Sequence, residues 1–290
     1  MVYTLESNQL QVQVKSIGAE LTSIKCKKTG IEYLWQGDAA YWEGQAPVLF
    51  PTVGRMKNFE YHYNGQRYDM PIHGFARHSQ FAAKQEPGKL IFSLTDSAET
   101  KKSYPFEFLF EVIFTLDGNR LYTEYRVTNT STGEDLLFGI GAHPGFNTPI
   151  VEGTEFSDYY LEFEGHDKLT HYKFVAPGLM LNNETREFPL ENSRLPITYE
   201  LFEEISTIMQ VDTPVKKVSI KSEKTQHYVT MEFDSPHLAI WTMPGPYVCL
   251  EPWDSLPDYA DTDGNLATKK GDQKLAPGQT KSFKHNVVFG

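Results

Sequence analysis

Four short stretches hold side chains suited to moving protons or gripping hydroxyls. In "FGIGAHPGFN", ending at Asn147, His143 stands between a glycine-rich apolar run and Pro144. Gly139 and Gly141 remove side chains and Pro144 stiffens the backbone, so the imidazole is aimed rather than merely packed. In "YVCLEPWDSLPD", Glu251 ends an apolar strand-like run and is followed by Pro252 and Trp253. A carboxylate emerging from a buried strand beside an aromatic is partly desolvated, which raises its proton affinity toward the range of a useful base. "MPIHGFARH" sets His73 before a glycine, and "PTVGRMKN" sets Arg55 after a Pro-Thr-Val-Gly turn. The chemistry open to these groups is general acid–base work by imidazole and carboxylate. Each residue type also has an ordinary use: a satisfied core histidine, a strand-ending glutamate, a solubilising arginine. Arg77, His78 and Lys57 are read in that ordinary way.

Other chemistries lack their motifs. There is no glycine-rich phosphate loop, dinucleotide fingerprint, G-x-S-x-G elbow or paired-cysteine site. The nine histidines form neither H-x-x-x-H nor H-E-x-x-H, so no metal site is expected.

The elements that must position these residues read as strands. In "FEFLFEVIF", Phe106, Phe108, Phe110, Val112 and Phe114 share one face and Glu107 and Glu111 the other. Asp117-Gly118-Asn119 and Asn64-Gly65 mark hairpin turns between strand-like runs. "YVTMEFD" alternates with Val229, Met231 and Phe233 on one side, and Pro277-Gly278 precedes a last strand, "SFKHNVVF". Helical spacing is scarce, "ITYELFEEIS" being the best candidate. Many evenly spaced strands and few helices predict an all-β protein, a large antiparallel sandwich or barrel. No repeat or linker breaks the chain, so one domain over residues 1–290 is expected.

Composition narrows the partners. The aromatic content of 13% favours strands. A net charge of −11 argues against nucleic acid and against an anionic membrane surface. Cys26 and Cys249 are the only cysteines, which does not make a stapled secreted domain. The N-terminal stretch has no signal-peptide pattern and no run is long enough to span a membrane, so a cytoplasmic location is expected.

Taken in order, "LFPTVGR", "HGFAR", "HPGF" and "CLEPW" resemble the aldose 1-epimerase (galactose mutarotase) family, nearest its LacX-like branch. "GAELTSIKCKKTGIEYLW", "QGDAAYW" and "LAPGQTKSF" extend the likeness over almost the whole chain. The resemblance implies a β-supersandwich that interconverts the α and β anomers of a hexose or hexose phosphate. It implies His143 as general acid, Glu251 as general base, His73 and Arg55 as sugar contacts, and no cofactor or metal. The chemistry agrees independently: a base takes the C1 hydroxyl proton while an acid protonates the ring oxygen. The ring opens, the C1–C2 bond rotates, and closure gives the other anomer. Each positioned proton carrier typically contributes about 10²–10⁴-fold. Trp253 and Phe75 either offer an apolar face to the sugar or pack in the core, and Arg55 could hold vicinal hydroxyls through its planar fork.

The chain departs from the family where an acidic residue often binds hydroxyls. Ile205 stands there, with Glu204 and Asp212 as the nearest substitutes. Two further readings use the same groove: a non-catalytic sugar-binding sandwich, and a glycoside hydrolase or lyase needing a second carboxylate that has no motif here. Monomer and homodimer are both open.

Overall fold

The computed structural model describes residues 1–176 and 178–290, Asn183 by its backbone. Alternation becomes sheet as expected. The strand Phe108–Asp117 buries Phe108, Phe110, Val112 and Phe114 on one face, and Gly118-Asn119 turns it into Arg120–Asn129. Asn64 and Gly65, both at positive φ, form the two-residue turn joining Glu60–Tyr63 to Gln66–Asp69.

Two antiparallel sheets dominate. A nine-stranded sheet runs, in spatial order, through 194–196, 159–162, 217–222, 225–233, 280–289, 120–129, 108–117, 89–95 and 82–86. The strand Thr280–Phe289, last in chain order, therefore sits in its middle, between Thr225–Phe233 and Arg120–Asn129. A second sheet runs through Thr207–Gln210, His237–Trp241, Tyr247–Trp253, Gly141–Ala142 and Val48–Leu49, with Gly145–Asn147 also paired to Tyr247–Trp253.

The core lies between these sheets. Phe50 stacks on Phe110 with ring centres 4.5 Å apart, and Phe146 approaches Phe289. A buried phenylalanine contributes about 1.5–3 kcal/mol by leaving water, and a ring pair roughly 0.5–1.5 kcal/mol more. Such pairs hold the smaller sheet, which carries the candidate residues, rigidly on the larger one.

The expected helix forms as Tyr199–Ile205. Thr198 caps it by accepting the Leu201 N–H, Phe202 is buried, and Tyr199 stacks on Phe156. It leads directly into Thr207–Gln210, the edge of the smaller sheet. A hairpin, Lys168–Val175 with Leu179–Pro189, packs beside that edge. No helix is long and apolar enough to cross a membrane.

Candidate active site

Register brings the two principal residues together. Gly141 pairs with Trp253 and Gly145 with Cys249, so His143, midway between the first pair members, lies opposite Glu251, midway between the second. Opposed residues of an antiparallel pair share a face with Cβ atoms about 4.5–5.5 Å apart. The side chains accordingly meet, His143 Nε2 lying 3.3 Å from Glu251 Oε2. The His-Pro dipeptide interrupts the strand at this point, and the Pro144 carbonyl accepts the Leu250 N–H. Gly141 serves the neighbour more than the histidine: a Cβ there would lie 2.6 Å from Cδ1 of Trp253.

His73 arrives on a tight turn at φ 64°, followed by Gly74 at φ 74°. A Cβ on Gly74 would come within 2.3 Å of the Phe50 carbonyl oxygen, so only glycine fits. The Gly54 N–H donates to His73 Nδ1 at 3.1 Å, leaving Nε2 to carry the ring proton. The His73 ring stands edge-on to His143, 5.3 Å between centres. Arg55 lays its guanidinium over Phe59.

These residues line one cavity of about 750 Å³. Seven buried side-chain polar atoms lack a hydrogen-bond partner among the described residues, and four belong to this cavity: Arg55 Nε, His143 Nδ1, Glu251 Oε2 and Trp253 Nε1. Buried polar groups are normally paired, so this concentration gives the cavity a lining suited to a polar ligand.

Burial sets the electrostatics. His143 and Glu251 are 8% and 1% exposed, and the rings of Trp42 and Trp241 lie 5.1 and 5.4 Å from the His143 ring. Loss of water pushes the imidazole down to about 3. It pushes the Glu251 carboxyl well up, opposed by the nearby Trp253 N–H, which makes no aligned hydrogen bond to it. His73 is held well below the usual imidazole range, by burial first and then by His143, Arg77 and Arg55. At this burial the neutral pair is therefore favoured over carboxylate and imidazolium. Cys249 Sγ lies within 4.8 Å of the donor atoms of His143 and Glu251, a set that could hold a metal ion.

Of the residues singled out in the sequence, His143, Glu251, His73, Arg55 and Trp253 all line the cavity. Phe75 does not; it packs against Phe50, Tyr104 and Phe108. Arg77, read as an ordinary surface residue, is in the wall, its charged form disfavoured by burial. Lys57 instead ties the Ala260 carbonyl at 2.8 Å. Ile205 lines the cavity; Glu204 does too but is paired with Arg186 at 2.5 Å, and Asp212 lies outside. Sequence reasoning missed Trp241 and His171. Trp42 was present only within the resembling segment "QGDAAYW". His171 sits in an ordinary alternating strand and gave no local signal.

Two β-sheets packed face to face, with an imidazole and a carboxylate converging in a polar-lined cavity, define a galactose mutarotase-like fold. The chain belongs to the aldose 1-epimerase family, whose model matches residues 1–287, and so to the isomerases. It is similar to the protein LacX, chromosomal, of Lactococcus lactis subsp. lactis, 34% identical over 100% of this chain and 99% of that one. Among solved structures it resembles a galactose mutarotase related enzyme from Lactobacillus acidophilus: 34% identity, TM-score 0.94, 100% of this chain and 97% of that one. A galactose mutarotase-like protein from Lactobacillus casei ATCC 334 follows at 30% identity and TM-score 0.92, with 100% of both chains covered.

Proposed function

We propose that the protein interconverts the α and β anomers of a hexose or hexose phosphate, with Glu251 as general base and His143 as general acid. The observation that carries this reading is the 3.3 Å approach of His143 Nε2 to Glu251 Oε2 within the cavity. The two atoms that exchange protons in anomerisation, the C1 hydroxyl oxygen and the ring oxygen, are bonded to the same carbon. Their base and acid must therefore be neighbours.

Proton bookkeeping follows from the pair. In the neutral state Glu251 holds the proton, and moving it to His143 gives carboxylate and imidazolium without changing net charge. Sugar hydroxyls donating to Glu251 favour that charged state by replacing lost water. The carboxylate then removes the C1 hydroxyl proton while the imidazolium protonates the ring oxygen, and the C1–ring oxygen bond breaks. The products are the open-chain aldehyde, a protonated Glu251 and a neutral His143, the pair's resting arrangement. After rotation about C1–C2 the same steps run backward. His73 donates from Nε2 to the sugar, Arg55 from its unpartnered Nε, and Trp253 offers its ring face.

The test is anomer exchange by polarimetry or NMR on freshly dissolved glucose, galactose and their 6-phosphates, with wild type beside Glu251→Gln. Faster equilibration lost in the variant is the expected result. Clear binding of a sugar without acceleration would instead make this a sugar-binding sandwich.

A further inference from the structure

His171 is not part of the acid–base machinery, yet it is 4% exposed and lines the same cavity. Its position is fixed from the edge of the smaller sheet. Thr207–Gln210 is that edge, and the Met209 N–H donates to His171 Nδ1 at 3.1 Å. With Nδ1 committed as an acceptor, the neutral ring carries its proton on Nε2, which finds no acceptor among the described residues. Burial, reinforced by Arg186 and Lys173, pushes this imidazole down to about 4, so it is uncharged near neutral pH. His73 is built by the same device, a backbone N–H on Nδ1, from another loop.

Register supplies the distance. Met209 pairs with Ala239, and Ala239 pairs with Glu251. Met209 thus lies on the same transverse row as the base, two strands or about 10 Å away at the usual strand spacing, and His171, held on its N–H at the sheet edge, lies just beyond it. A pyranose ring with a hydrogen bond of about 2.9 Å at each end fills a span of that order. The anomeric end faces Glu251, which leaves the opposite edge of the ring toward His171. On that side the expected acidic residue is missing: Ile205 stands in the wall and Glu204 is engaged by Arg186.

Building on the proposed epimerase function, we infer that His171 is the residue that selects the sugar by its far edge, donating from Nε2 to one ring hydroxyl remote from C1. An acidic side chain there would require the hydroxyl to donate. A fixed N–H requires it to accept. This difference makes the inference separable from any generic packing role.

The experiment compares wild type with His171→Phe and His171→Gln on the preferred hexose and its 3-, 4- and 6-deoxy and deoxyfluoro analogues. Mutarotation rates and, separately, dissociation constants by NMR titration are measured for each. His171→Phe is expected to raise KM and Kd roughly tenfold, the size of one hydrogen bond, with kcat little changed. For the one deoxy sugar lacking the contacted hydroxyl, the same substitution should change nothing. The matching fluoro sugar, which accepts but cannot donate, should bind wild type better than the deoxy sugar does. His171→Gln, which offers both a carbonyl for Met209 and an N–H for the sugar, should recover part of the loss. Equal losses across all analogues, or a fluoro sugar no better than the deoxy one, would overturn the inference. If wild type accelerates no sugar, the epimerase reading fails, while the Kd pattern still decides for or against His171 as a hydroxyl donor.

Discussion

The His143–Glu251 contact couples two groups that water would ordinarily keep apart in charge. Either alone, buried this deeply, would be a poor proton carrier; together they can exchange one proton at constant net charge. Glu251→Gln and His143→Asn are each expected to cut turnover by about 10²–10⁴-fold, with melting temperature and circular dichroism near wild type, as anomer-exchange kinetics beside thermal melts would show. Arg55→Ala should raise KM more than it lowers kcat, because its buried Nε is a donor available to ground state and transition state alike; a pure kcat effect would place it in the transition state. At this scale the sequence was informative where a residue type stood in an unusual local setting. His143 beside glycine and proline, and Glu251 before Pro-Trp, could be picked out in that way. His171 could not, since its partner is the backbone of Met209, 38 positions away, and its surroundings exist only after folding.

Elements explain why those side chains meet. The pairing of Gly141 with Trp253 leaves no room for a methyl group, so Gly141→Ala is expected to push the Trp253 ring. A loss of about 1–3 kcal/mol, read as a lowered melting temperature, should accompany reduced activity. The helix Tyr199–Ile205 hangs on its cap: Thr198→Ala should cost roughly 0.5–2 kcal/mol, and its proximity to the cavity wall should raise KM with little change in kcat. The strands and the helix were readable from period-two and 3.6-residue spacing, and both Asn64-Gly65 and Gly118-Asn119 turned where expected. Strand order was not readable, because the smaller sheet joins residues 48–49, 141–147 and 207–253. No local pattern encodes such distant pairings. That is also why the sequence left Phe75 open between a sugar contact and core packing: its partners Phe50, Tyr104 and Phe108 come from three separate segments.

For the molecule as a whole, buried imidazoles tie stability to pH. His285 is pushed down to about 4 by burial alone, beside the Tyr125 ring. Its folded value lies below the unfolded value of about 6.5, so the unfolded chain binds the extra proton. Its contribution is complete above about pH 6.5 and is lost as pH falls toward 4, up to about 3 kcal/mol in all. His285→Phe should therefore melt with a weaker dependence on pH between 6.5 and 4 than wild type, as scanning calorimetry would show. The nine-stranded sheet has a further consequence, one that concerns synthesis. Thr280–Phe289 bridges its two halves, so a nascent chain shorter than this carries two unfinished sheets, each with an open edge. Such edges recruit strands from other chains. Until residues 280–289 are in place the two halves of the sheet remain apart, and a chain truncated before Thr280 is expected to lose solubility relative to the full chain, as the soluble fraction after centrifugation would show.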